Sequence, residues 1–443
     1  MQILTLILAV ILYFLAPNKY DFTICCVAFA LFLYSASITV KSTSRKEGFL
    51  SFTLFFTVSF FLVNFFYPIF IYPIDKYYFP VFGRFYFNEA VITKATLLAL
   101  VGYCSFSVGV SYFFGKTKVR FSGSIFQMKS GKKVILKYSY KIILVLTWVL
   151  SFITFYMARE GIFQRSSDAF VNVEPSILVI AQCLVNLLII LNFYLKKPLK
   201  NLAIVIIYSL VFIYVGDRGS AVQTSLVLLL SYNLFYKKIR KTKVVFIFLA
   251  GFIGLTVVSS LRGKDGGSKQ LNQVEYSHYY DFAMDLIVNN RNLYAGYDYA
   301  NKNGLNYGTS SLPYIFAPIP LLPSYITTKL FNATPQQLSS GTILTNDVGA
   351  TWGLGTNLIA DLYMQFGFLG VLLLMFLLGR LISSLALNNG SGLFTTICYI
   401  FVCSFSIYMA RSSLFDSLRY IAWAAIIYYL LFYLLKPFLK VVK

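Results

Sequence analysis

The chain has 443 residues, a formal net charge of +22 and a hydrophobic share of 58%, yet only 12% of its residues are charged. With a mean hydropathy of +0.71, its apolar surface exceeds what a water-soluble core of this size can hide, so lipid is the expected solvent for most of it. The apolar runs are continuous rather than alternating, which excludes a β-barrel; the basic residues lie in loops between the runs, where they fix topology and attract anionic lipid, and this argues against nucleic acid as a partner.

Taken in chain order, spans are predicted at 2–16, 22–40, 49–72, 91–115, 142–157, 175–194, 201–215, 221–236, 244–260, 362–386, 392–409 and 419–435. The expectation is an all-α polytopic membrane protein with about 12 transmembrane helices, each needing roughly 20 apolar residues. The runs 2–16, 142–157 and 201–215 are short and must borrow flanking residues. The first run lacks a basic n-region and a small-residue cleavage site, so it reads as a retained span rather than a signal peptide.

The gaps between runs alternate in charge. One set is basic: Lys41 to Lys46, Lys116 to Lys141, Lys196 to Lys200, Lys237 to Lys243 and the tail from Lys436. The other set, 17–21, 73–90, 158–174, 216–220, 261–361 and 410–418, holds every acid except Glu47. Lys and Arg in short loops mark the cytoplasmic side, so the acidic gaps face outward and both termini are expected in the cytoplasm. The chain then divides into spans 1–9 (1–260), a large outer loop with short helices (261–361) and spans 10–12 (362–443). Loops this long are usually functional. Within it, 271–300 has an apolar stripe at helical spacing and reads as a loop helix. The stretch from Leu312 to Tyr325 is apolar but too rich in proline to span as a helix, and belongs at the membrane interface or in a protein-lined re-entrant segment. All six cysteines lie inside apolar runs, and no disulfide framework or thiolate zinc site is readable.

Chemistry is therefore expected on the outer face. Arg218 and Asp217 lie in the tight hairpin Gly216-Asp-Arg-Gly219, where a guanidinium can grip a phosphate with paired hydrogen bonds or simply pair with its neighbouring acid. Arg262 opens the long loop, Arg291 lies in Asn289-Asn-Arg-Asn292, and Arg411 and Arg419 bracket Asp416; the i,i+3 spacing of Asp416 and Arg419 also allows a plain ion pair. Together these five arginines point to an outer anion pocket. His278 is the only histidine and the natural proton carrier near neutrality, with Asp281, Asp285, Asp298, Glu275 and Glu160 as other bases. Tyr276, Tyr279, Tyr280, Tyr294, Tyr297 and Tyr299 offer flat faces for sugar rings or form a generic cluster. No DxD, HExxH, Walker A or GxSxG is present, so no metal and no cofactor is expected.

The Gly-Asp-Arg-Gly hairpin at 216–219, Ser260-Leu-Arg-Gly263 at the mouth of a long loop, and the run from Gly353 to Gly370 followed by Arg411-Ser-Ser-Leu-Phe415 together resemble the O-antigen polymerase (Wzy) family, and the resemblance covers essentially the whole chain. It implies a GT-C-like helical fold and glycosyl transfer at the periplasmic face of the bacterial inner membrane. The growing glycan on undecaprenyl pyrophosphate would be donor, a lipid-linked repeat unit acceptor, and a chain-length regulator protein a partner. By the same resemblance Arg218, Arg262 and Arg411, with Asp217 beside them, would clamp the leaving pyrophosphate and His278 would be a candidate base. Arg291, Arg419, Tyr279, Tyr280 and Asp281 would bind substrate. The paired Arg-x10-Gly motifs of some polymerases are not matched, since Leu229, Gln273 and Lys302 stand eleven positions after Arg218, Arg262 and Arg291. A lipid-linked oligosaccharide flippase or transporter and an O-antigen ligase are the competing readings; a flippase would keep its charges in a central cavity and its loops short.

Overall fold

The computed structural model describes residues 1–78, 88–114, 130–164, 169–170, 173–215, 217–240, 242–244, 246–247, 251, 278, 280–319, 321–350, 353–389 and 391–435. Arg262, Tyr276, Tyr279, Glu275 and most of the expected span at 244–260 lie outside them. Among the described residues the protein is helical, and the only β pairing is an isolated bridge between Asn389 and Gly392.

Among the described residues six helices are long and apolar enough to cross a membrane: Phe22–Ser44, Glu89–Tyr112, Val134–Met157, Pro175–Tyr194, Leu358–Asn388 and Leu414–Leu431. Four shorter apolar helices, Gln2–Leu15, Phe52–Asn64, Leu199–Val215 and Leu393–Ser404, accompany them. The short run at 142–157 lengthens backwards, because Ser130–Met157 is one helix. Likewise the helix Phe22–Glu47 takes in the basic gap at 41–46. Lys and Arg are good helix formers, so a basic gap need not end a helix.

The chain forms two compact units. The first gathers 1–120, 276–387 and 406–419; the second gathers 121–275, 388–405 and 420–443. In the first, helix Ile92–Phe114 meets helix Leu358–Asn388 through small residues. A Cβ on Gly109 would come within 2.2 Å of the Phe376 carbonyl oxygen, and one on Gly379 within 2.1 Å of the Phe106 carbonyl oxygen. Ser105 and Ser383 reinforce the crossing by donating to the carbonyls of Leu372 and Val110. Small residues that let backbones approach are what membrane helices use where lipid offers no hydrophobic drive to associate. On the same long helix Leu369, Leu373, Leu377 and Leu381 recur every fourth residue and are all exposed, a stripe that suits lipid and not water.

Gly367, with φ of +65°, interrupts that helix. The segment beyond it, 368–388, rises about 31 Å, close to the hydrocarbon thickness. The nine residues before it pack against the loop helix Asn290–Asn303, whose Gly296 lies so near Ala360 that an added Cβ would come within 2.6 Å of that side chain. The expected single helix over 271–300 is instead a sequence of shorter pieces: a 3-10 turn Asp281–Ala283, the helix Met284–Ile287, and then Asn290–Asn303. The Pro-rich stretch forms two short helices, Leu312–Phe316 and Leu322–Phe331, each with proline in its first turn, where the missing N–H costs nothing. Ile315, Ile319, Leu321 and Tyr325 on it are exposed.

In the second unit, polar side chains tie apolar helices together. Gln182 donates to Thr224 at 2.9 Å, and Tyr140 donates to Asn192 at 2.8 Å while Asn201 donates to Tyr140 at 2.7 Å.

Candidate functional site

Arg291 is placed by its neighbours. Asn289 donates to the Thr356 carbonyl at 3.0 Å, Asn292 to the Leu354 carbonyl at 2.9 Å, and Asn290 to those of Leu62 and Ile287. These amides pin the start of helix Asn290–Asn303 to the chain entering helix Leu358–Asn388. Buried amides of this kind hold one geometry, because losing a partner leaves a costly bare dipole. The pinned turn buries Arg291 to 5% exposure. Burial pulls its guanidinium down to about 10, with the nearby Arg411 cation contributing in the same direction. It therefore stays charged at neutral pH, beside a second charge of the same sign.

Arg411 ends the 3-10 turn Met409–Arg411. One guanidinium nitrogen donates to the Asp285 carbonyl at 3.0 Å, and the group lies 5.6 Å from the Tyr408 ring centre. Burial lowers its affinity for protons as well. Arg411 lies near enough for its charge to bear on the Arg291 guanidinium, and an anion that reached both would be attracted by both charges.

Arg419 is engaged differently. It pairs with Asp416 at 3.0 Å and faces the ring of Tyr314 at 6.0 Å, so the i,i+3 ion pair allowed by the spacing is formed. Burial, then the Asp416 and Asp361 carboxylates, raises the Tyr314 phenol above its ordinary value. Asp361, fully buried, accepts from Ser413 at 2.9 Å. Sequence reading assigned it no role, although an acid at the head of an apolar run is a signal in its own right.

His278 is exposed and its Nδ1 lies 2.9 Å from the Tyr78 hydroxyl. That hydroxyl donates to Asp281 at 2.9 and 3.0 Å, and Asp281 is buried. Tyr280 stacks on the imidazole with centres 5.0 Å apart. Tyr78 had no signal in the sequence, lying two hundred positions away in an unremarkable outer segment. Of the other loop tyrosines, Tyr294 is fully buried and donates to Asn290, while Tyr297 is buried against Tyr363. Both belong to the protein core and present no face to a sugar.

In the second unit Asp217 caps helix Arg218–Phe235, accepting from the Gly219 amide at 2.9 Å and from Ser220 at 3.3 Å. Arg218 is the first residue of that helix. Among the described residues no three His, Cys, Asp or Glu side chains converge as metal ligands.

A family model described as O-antigen polysaccharide polymerase Wzy matches residues 1–441. No curated protein and no solved structure matches the chain.

Proposed function

The chain belongs to the O-antigen polysaccharide polymerase Wzy family, and from that premise we propose how its arginines serve the reaction. Membership makes it a polymerising, glycosyltransferase-type enzyme of the bacterial inner membrane that acts on lipid-linked oligosaccharide repeat units. In the proposed reaction the growing glycan is carried on undecaprenyl pyrophosphate at the periplasmic face. A hydroxyl of the incoming lipid-linked unit attacks the anomeric carbon, and undecaprenyl pyrophosphate departs. Charge grows on the departing diphosphate, so the catalyst needs fixed positive groups aimed at it. The proximity of Arg291 and Arg411, close enough for one charge to bear on the other, carries this reading: two neighbouring cations suit a divalent or trivalent anion. Guanidinium groups supply this charge without a metal. Arg218 and Arg262, which the family resemblance assigns to the leaving pyrophosphate, are proposed as further phosphate-binding residues, and Arg419, Tyr279 and Tyr280 as residues that bind the glycan.

The alternation of basic and acidic gaps supports cytoplasmic termini and a periplasmic site. The ten apolar helices among the described residues support a polytopic membrane protein; the proposal takes the number of spans to about 12 and the fold as GT-C-like. A chain-length regulator is proposed as the protein partner. A deletion strain tests the whole reading. Loss of this polymerase leaves lipid A core capped with a single repeat; accumulation of lipid-linked polymer would indicate a ligase, and single units stranded in the cytoplasmic leaflet a flippase. Long chains persisting in the deletion strain overturn it.

A further inference from the structure

We propose that Tyr78 and Asp281 fix the tautomer of His278 so that its Nε2 accepts the proton of the attacking hydroxyl. This rests on the polymerase reading above. The loop closes on itself first: the His278 amide donates to Asp281 Oδ2 at 2.9 Å, and the Asp281 amide donates to the His278 carbonyl at 3.1 Å. The buried carboxylate is thereby held directly beneath the imidazole's own backbone.

Proton counting does the rest. An ionised carboxylate only accepts, and a phenol has a single hydrogen to give. The Tyr78 hydroxyl lies within 3.0 Å of both Asp281 oxygens, so its hydrogen goes to the carboxylate. Its oxygen then presents lone pairs toward His278 Nδ1, 2.9 Å away. Two acceptors cannot share a hydrogen bond, so Nδ1 carries the hydrogen and Nε2 carries the lone pair. The ring's orientation is set as well, by the edge of Tyr78 at 4.6 Å and the face of Tyr280 at 5.0 Å. An exposed imidazole buries little apolar area, so packing alone gives no reason to hold it by a hydrogen bond and two rings. The turn Asp281–Ala283 runs straight into helix Met284–Ile287, where Arg411 grips the Asp285 carbonyl. Asp285 thus lies one turn of chain beyond Asp281.

In the step, the acceptor oxygen bonds to the anomeric carbon and the carbon–oxygen bond to the diphosphate breaks, its electron pair leaving with the diphosphate. The hydroxyl proton passes to Nε2. The resulting imidazolium is stabilised through Nδ1–H, the Tyr78 hydroxyl and the Asp281 carboxylate, and then releases its proton to water. His278 alone meets the substrate; Tyr78 and Asp281 are positioning residues.

Because the chain has one histidine, nitrogen-15 histidine labelling of the full-length protein, purified through a tag without histidine, gives NMR signals from His278 only. The expected result is the Nδ1–H tautomer in the wild type and a shift to the Nε2–H form in Tyr78→Phe, with Asp281→Asn as the second variant should the first fail to fold. In a polymerisation assay with lipid-linked repeat units, His278→Gln should lower kcat by roughly 100- to 10,000-fold, and Tyr78→Phe should lower kcat with KM unchanged. An Nε2–H tautomer in the wild type, or one that Tyr78→Phe leaves unaltered, overturns the relay. Wild-type kcat in His278→Gln overturns the base and leaves the arginine pair standing. Wild-type protein that makes no polymer overturns the polymerase reading and this one with it.

Discussion

Replacing Arg411 by Gln should separate the cost of the arginine pair at rest from its use in the reaction. In the resting protein Arg411 contributes one charged hydrogen bond to the Asp285 carbonyl, worth about 1.5–3 kcal/mol, and a ring contact with Tyr408, worth about 0.5–1 kcal/mol at a half-exposed site. Opposing these are the desolvation of its own cation and the repulsion that helps pull Arg291 down to about 10. The terms act in opposite directions, so thermal stability should change little. In the transition state the departing diphosphate loses a charge-assisted hydrogen bond of about 1.5–3 kcal/mol. At 1.36 kcal/mol per decade this is roughly a 10- to 150-fold drop in rate. Purified protein in nanodiscs, given lipid-linked repeat units, reports the initial rate as a ladder on a gel. Arg411→Lys should fall between, since a point charge keeps attraction and loses the fork. Combining it with Arg291→Lys should give less than the sum of the two effects, because both groups hold one anion. A wild-type initial rate in Arg411→Gln, at equal folded protein, refutes the reasoning.

Arg218→Ala is expected to abolish polymer while the protein still inserts and accumulates, and wild-type chain lengths in a cell-surface glycan gel would remove Arg218 from the site. Its neighbour Asp217 caps a helix, so Asp217→Ala should cost about 1 kcal/mol of stability and Asp217→Asn almost nothing; thermal melts of the two variants compare them. Gly379→Ala places a Cβ 2.1 Å from a backbone oxygen and should sharply reduce accumulation in the membrane by immunoblot, whereas Gly353→Ala meets nothing within 4 Å and should accumulate normally. Ser413→Ala strips a donor from the buried Asp361 and should lower stability by about 1 kcal/mol or more, read as a shift in the melting curve.

Much of the fold could be read along the chain. The helix Pro175–Tyr194 has the bounds its apolar run predicts, because a capping Glu174 and a first-turn proline are local signals. The capping of helix Arg218–Phe235 by Asp217 follows from the same kind of local chemistry. The break at Gly367 was not legible: a glycine in an apolar run gives no sign of whether its φ will turn positive. Nor was the close crossing at Gly109 and Gly379, since either could as well have faced lipid.

The arginine pair marks the boundary. Sequence reading expects Arg291 and Arg411 on one side of the membrane, because charge sorts with loops and loops sort with topology. Its spacing allowed the Asp416–Arg419 pair that forms, but it did not single out Arg291 and Arg411 as neighbours. Nor did it bring Tyr78 to His278. Composition and periodicity determine which residues leave water, a matter of each segment's own transfer energy. Which helices then become neighbours depends on shape and on long-range hydrogen bonds, since lipid and protein are almost equally good apolar surroundings for a spanning helix. That choice exists only in three dimensions, and there it brought the charge of Arg411 to bear on Arg291 and the Tyr78 phenol to the His278 imidazole.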